Sequence, residues 1–407
     1  MKVCLVSNYL PEYHSIWGGA ERAAFLLIEG LKKKNIDISV ITNHTEIDAP
    51  NRDIFFIKKD NHISTKIINR LFNFSYYNPL LKEKFSKIID SINPDLIHLQ
   101  NFSSFSVSII KEVKTKKIPL VLSVYDYWAF CPNGLLLYRF KEQCNYFQGL
   151  RCRDCFRFVP YGRCSYFNTL ERIYFKKYLN FIDRFIVLSN DSFRILLKYG
   201  IEEKRIEIIP LPLYESIDIA PTYQEGLILF VGWISYNKGL HILLEAISYI
   251  IEQFPFISLW VVETGTIASY KRYISDLINK LSLNSKIKFL GKLSYQQLKE
   301  ILEMAHIVVV PEQWHNPLPL ILCEAINFKK PIVASRIGGI PEIVNQERFL
   351  AQYNDPKDFS RRISWILRNN DMALEYAKAL NQKVSAVLDV HKNLDNIIQL
   401  YHKVIKD

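Results

Sequence analysis

Short apolar runs alternate with helical stretches along this chain, stop, and begin again, and that repeat constrains the fold more than any single motif. The first run, Val3–Ser7, reads as a buried strand, followed by a loop and a helix from Glu21 with Ala24, Leu27, Ile28 and Leu31 at helical spacing. Runs at Asp37–Ile41, Asp95–Leu99, Pro119–Val124 and Phe185–Leu188 continue the series. It breaks off near residue 210, where Pro210, Pro212 and Pro221 bracket a stretch without periodicity that reads as a linker. The pattern restarts at Leu227–Val231, and the helix after Lys238 sets Leu240, Leu243, Leu244, Ile247 and Ile251 on one face. Strands follow at Ile257–Val262, Lys286–Leu290, Ile307–Val310 and Ile332–Ala334. Strands separated by helices are βαβ units of a parallel sheet. The 407 residues fit two to three domains of about 150 residues each. The economical reading is an α/β chain of two tandem doubly wound Rossmann-like domains, residues 1–212 and 213–389, with an interdomain cleft. A last helix, about Val390 to Val404 within 390–407, is expected to pack back on the first domain. Ligands of such folds bind at the carboxyl ends of the strands.

Charge narrows what such a cleft would take. Lysine and arginine outnumber the acids 52 to 41, a net charge of +11, which favours an anionic partner: nucleic acid, a phosphate-bearing substrate or an acidic membrane surface. With 49% apolar and 23% charged residues the chain is not of the disordered class. Its best candidate for a bilayer span, residues 118–138, is interrupted by Pro119, Asp126, Pro132 and Gly134. The first apolar stretch meets Asn8, Pro11 and Glu12 too soon for a signal peptide. The chain is therefore expected in a reducing cytosol, where its seven cysteines are thiols or metal ligands rather than disulfides.

Both halves offer a strand, a turn and a helix start. In the first half Gly18 and Gly19 stand immediately before the helix, where glycine permits close backbone approach and the helix N-terminus offers amides to phosphate. A plain tight turn is the ordinary alternative. In the second half the run Ile307–Val310 leads into PEQWHNPLPLILCEA, with Asn316 placed as an N-cap and Pro317 at the first helical position. Glu324 follows within an otherwise apolar stretch. It is either a carboxylate that needs ribose hydroxyls as partners or one exposed on a polar helix face.

The stretch Ala305–Val344 closely resembles the donor-site signature of family-four glycosyltransferases, which have the GT-B fold. Further matches are GGAER at 18–22, PDLIHLQN at 94–101, VLSVYDYWAFCP at 121–132 and FVGWISYNKGL at 230–240, in the family's order over nearly the whole chain. The resemblance implies transfer of a sugar from a nucleotide-diphosphate donor, with retention at the anomeric carbon and without a catalytic metal or other cofactor. It implies that Glu324, the second Glu of the family's Glu-x7-Glu motif, holds the ribose, and that Lys238 neutralises the diphosphate. Leu318, Pro319 and Leu320 then contact sugar and phosphate, Gly291, Lys292 and Leu293 read the base, and Gly18 and Gly19 meet the diphosphate.

Three positions depart from the family's pattern. Tyr125 stands at the His of its HDYW segment, beside Asp126; Trp233 replaces the Arg that accompanies the lysine; and Asn316 replaces the first Glu. Tyr125, Asp126, Lys238 and Asn316 are the candidate catalytic residues. Because the changes cluster on sugar contacts, an altered sugar such as a 6-deoxy hexose is expected. The acceptor is expected to be a glycan or a lipid-linked oligosaccharide, as in bacterial surface polysaccharide synthesis. The rival reading is a non-catalytic relative that binds a glycan or a partner enzyme.

Two features lie outside that resemblance. Cys131, Cys144, Cys152 and Cys155, with Cys164 beyond them, read C-x12-C-x7-C-x2-C in an insertion spanning 131–164, a spacing that suits a structural zinc. Residues 151–178, and more weakly 66–87, interleave basic and aromatic side chains. No nucleic-acid motif accompanies them, so an anionic membrane surface is the expected partner beside the ordinary solvated helix face.

Overall fold

Val3, Cys4, Leu5 and Val6 are consecutive and almost wholly buried, as in a strand covered on both faces. They form β1 (Lys2–Val6) at the centre of the first sheet, in a computed structural model that describes residues 1–14, 18–44, 53–57, 78–105, 107–131, 133–139, 141–144, 152, 155, 176–210 and 222–407. With β2 (Asp37–Asn43), β3 (Ile54–Ile57), β4 (Leu96–Leu99) and β5 (Leu120–Ser123) it makes a parallel sheet. A short antiparallel hairpin, β6 (Leu137–Tyr138) and β7 (Glu142–Gln143), stands apart within the insertion. After it, β8 (Arg184–Val187) and β9 (Ile206–Ile208) complete the sheet order β3-β2-β1-β4-β5-β8-β9. Sequence reading missed β3, β9 and the hairpin, whose two to four residues are too short to show a period.

The chain divides into two units, Met1–Pro212 together with Val390–Asp407, and Leu213–Asp389. The helix Val390–Lys406 is part of the first because of its apolar face: Leu394, Ile397, Leu400, Tyr401 and Val404 share a buried cluster with Leu27, Ile28 and Leu31 of the helix Gly19–Lys33 and with β1. At Gly30 a side-chain carbon would fall 2.7 Å from Leu394, so the two helices approach as closely as they do because that position is bare. Tyr401 reaches the sheet itself, its hydroxyl 2.6 Å from His98 Nδ1.

The second unit repeats the plan. Its parallel sheet runs β12-β11-β10-β13-β14-β15, with β10 (Leu227–Ile234), β11 (Ser258–Thr266), β12 (Ile287–Gly291), β13 (Ile307–Val310), β14 (Ile332–Ser335) and β15 (Leu350–Ala351). Leu240, Leu243, Leu244 and Ile247 of the helix Leu240–Ser248 are buried on it. Since β10, β13 and β14 are neighbours, the loops after them emerge side by side at one edge. Among the described residues no helix is long and apolar enough to cross a membrane.

Candidate active site

The second unit's site is built from three loops, after β10, β13 and β14. Gly239 has a left-handed backbone (φ +71°), and a side-chain carbon there would lie 1.9 Å from the Pro311 carbonyl oxygen. Only glycine allows so close an approach of the first two loops, and the Gln313 amide then donates to the Asn237 carbonyl at 2.8 Å. Gly338 (φ +63°) does the same for the third loop: a side-chain carbon would sit 2.5 Å from Asn316 O, and the Gly339 amide donates to that oxygen at 3.0 Å. The three loops are thus stitched together by main chain.

Lys238 and Asn316 meet on a residue that sequence reading passed over. Glu312 Oε1 accepts from Lys238 Nζ at 2.6 Å and from Asn316 Nδ2 at 3.0 Å, while its Oε2 accepts from Trp314 Nε1 at 2.5 Å. Glu312 is 2% exposed, whereas the Lys238 side chain is 23% exposed, so the lysine is the member of the pair that solvent reaches. The signal for Glu312 was available: an acid directly after the buried run Ile307–Val310 and Pro311, at the end of a strand where ligands bind.

The helix after this loop begins later than expected. It spans Leu320–Asn327, and its N-cap is Pro319, with no side-chain cap. Asn316 does not cap it; its Oδ1 accepts from the Leu318 amide at 3.2 Å in a local turn. The cause is the pair Pro317 and Pro319, since the residue before a proline is pushed out of the helical region. Pro319 and Leu318 are buried, and Leu320 partly so. Glu324 lies at the middle of that helix, 3% exposed, which removes the alternative of a solvent-facing carboxylate.

Trp233, standing where the resemblance expects Arg, lies against Gly265 of the paired strand; a side-chain carbon at Gly265 would meet its ring at 2.5 Å. It therefore brings bulk and no charge. Gly291 ends β12 with a left-handed backbone (φ +68°) and open space around it, followed by exposed Lys292 and half-buried Leu293.

In the first unit, Gly18 is extended and precedes the helix Gly19–Lys33; its amide donates to Glu21 Oε2 at 2.8 Å. Glu21 Oε1 accepts from Asn101 Nδ2 at 2.8 Å, and Asn101 Oδ1 accepts from Asn8 Nδ2. Burial pushes the Glu21 carboxyl above its ordinary range, against the bonds it accepts. The glycine turn is thereby tied to the ends of β1 and β4. Gln100, Asn101, Ser123, Tyr125, Asp126 and Trp128 line a pocket at the ends of β4 and β5. The Tyr125 hydroxyl donates to Gln100 Oε1 at 2.6 Å, and burial raises its pKa further, so it is a hydrogen-bonding group and not a base. Asp126 Oδ1 accepts from the Trp128 amide at 2.8 Å.

Of the cysteines whose spacing suits zinc, Cys131, Cys144, Cys152 and Cys155 are among the described residues. Cys131 Sγ donates to Asn133 Oδ1 at 3.0 Å, and Cys155 Sγ lies against the hairpin, accepting from the Arg139 amide at 3.4 Å. Among the described residues no three His, Cys, Asp or Glu side chains are grouped to hold a metal ion. Cys164, and most of the segments 66–87 and 151–178, lie outside the described residues.

Two parallel-sheet units, each with a glycine-bearing turn at its strand ends, make a tandem α/β architecture, and comparison with known proteins gives it a family. Residues 17–213 match the family described as Glycosyltransferase Family 4, and residues 218–383 match Glycosyl transferases group 1. The chain belongs to the group 1 glycosyltransferases of the GT-B fold. An uncharacterized 42.6 kDa protein in the cps region of Klebsiella pneumoniae is 24% identical over 378 residues, 84% of this chain and 87% of that one. The structure of Anabaena Alr3699/HepE in complex with UDP-glucose superposes with a TM-score of 0.72 at 16% identity, covering 99% of this chain and 100% of that one. Sucrose-phosphate synthase from Thermosynechococcus elongatus gives 0.72 at 18% identity, covering 100% and 99%.

Proposed function

We propose that this glycosyltransferase moves a sugar, with retention and without a catalytic metal, from a nucleoside-diphosphate donor to a glycan or lipid-linked acceptor in bacterial surface polysaccharide synthesis. The observation that carries the reading is Lys238: a lysine at the carboxyl ends of three adjacent strands, its side chain partly exposed, on loops that Gly239 and Gly338 allow to pack together. In that place it supplies the counter-charge for a departing diphosphate, where charge grows in the transition state. The bond from the anomeric carbon to the phosphate oxygen breaks, the acceptor oxygen bonds to that carbon on the same face, and the acceptor's proton passes to the leaving phosphate. No side-chain base is required, consistent with a Tyr125 that holds its proton. Glu324 is assigned to the ribose hydroxyls. The UDP-glucose complex of the Anabaena protein supports a nucleotide-sugar donor, and the cps-region relative supports a role in surface polysaccharide.

Calorimetry with nucleoside diphosphates tests the site. Lys238→Ala and Glu324→Ala are each expected to weaken binding by about 1.5–3 kcal/mol, as for loss of a charged hydrogen-bond partner. Undiminished affinity in both variants overturns the assignment. A donor panel that includes 6-deoxy sugars, with the product's anomeric configuration read by NMR, tests sugar choice and retention.

A further inference from the structure

A carboxylate is out of place where a diphosphate is to bind. Glu312 nevertheless stands in the loop after β13, within 2.6 Å of Lys238 Nζ, the cation that the proposed donor site depends on. It cannot swing aside when an anion arrives, because Trp314 and Asn316 hold its two oxygens from a position that is 2% exposed. The neighbouring position that the family resemblance would fill with Arg is Trp233, which packs on Gly265 and brings no second cation. One lysine thus faces two claimants, a fixed internal anion and the ligand.

We propose that Glu312 sets how tightly this site holds a nucleoside diphosphate, by competing with it for Lys238. The inference rests on the donor-site reading above and adds to it a residue that limits affinity. Charge bookkeeping gives an order. With Glu312 present the pair is neutral; without it Lys238 offers its whole charge to the ligand; without Lys238 the carboxylate repels it. The benefit of the arrangement to a transferase is release: the spent nucleoside diphosphate leaves a neutral pair more readily than a bare ammonium.

The test is calorimetry on the full chain with UDP, GDP, ADP, CDP and dTDP, taking whichever binds best. Glu312→Gln is expected to tighten binding by about fivefold or more, with a steeper loss of affinity as salt rises. Lys238→Ala weakens it by more than about tenfold, and the double variant falls between the two. A gain of affinity cannot come from a damaged fold, and if the Gln variant does not fold, Glu312→Ala is expected to shift affinity in the same direction. If Lys238→Ala weakens binding but removal of the Glu312 charge leaves it equal or weaker, the competition proposal falls and the donor site stands. If Lys238→Ala binds as the unmodified protein does, or if none of the five nucleotides binds it, the donor-site reading falls and this proposal with it.

Discussion

His98 is wholly buried in β4 between two hydroxyls, Tyr401 at 2.6 Å and Ser123 at 2.9 Å. Burial lowers its pKa to about 3, so the folded protein keeps the ring neutral where an unfolded chain, titrating near 6.5, takes up a proton. Between those values the unfolded state binds more protons, and stability is fully present above pH 6.5 and lost as the pH falls toward 3. The loss approaches about 1.4 kcal/mol per pH unit for this one group. Denaturant unfolding measured from pH 7 to pH 4 should therefore show a shallower acid loss in His98→Asn than in the unmodified protein; equal slopes would contradict it. The ring's partners explain what sequence reading could see at this scale. The run Asp95–Leu99 places His98 within a buried strand, but one of the groups that hold it, Tyr401, arrives from about 300 residues away. Glu312 was marked by its place after a buried strand, but its partner Lys238, 74 residues earlier, is met only where Gly239 lets the two loops close.

Elements were legible where they were long and periodic. β13 begins and ends where the apolar run does, and Leu240, Leu243, Leu244 and Ile247 lie on one buried face. The helix after β13 was misplaced at its start because a local rule, proline at the first helical turn, was outweighed by another, the effect of Pro319 on Leu318. The turns offer a sharper comparison. Gly239 and Gly291 share a left-handed backbone, φ +71° and +68°, but a side-chain carbon meets a carbonyl oxygen at 1.9 Å in the first and nothing within 4 Å in the second. Gly291→Ala is expected to cost about 1–2 kcal/mol, the backbone penalty alone. Gly239→Ala should cost at least about 2 kcal/mol more, because the loops after β10 and β13 must separate. Thermal or denaturant melts of the two variants measure the difference, and equal costs would mean that the Pro311 loop yields freely.

At the scale of the whole molecule the helix Val390–Lys406 matters most. Its five buried apolar residues, Leu394, Ile397, Leu400, Tyr401 and Val404, close the core over β1 and the helix Gly19–Lys33. At about 1.5–3 kcal/mol for each buried side chain, their removal rivals the whole stability of a typical domain, about 5–15 kcal/mol. A chain ending at Asp389 should therefore leave the first unit unprotected in hydrogen exchange while the second, Leu213–Asp389, keeps its slow amides. Protection of residues 1–212 equal to that of the full chain would refute this. The same helix dictates an order of events during synthesis. The first 212 residues emerge from the ribosome with Leu27, Ile28 and Leu31 uncovered, and at about 5–20 residues per second the stretch 213–389 takes roughly ten to thirty-five seconds more to be made. The unit that begins first is thus finished last. For that interval the nascent chain carries an open apolar seam, which a holding chaperone can cover and a neighbouring nascent copy can capture.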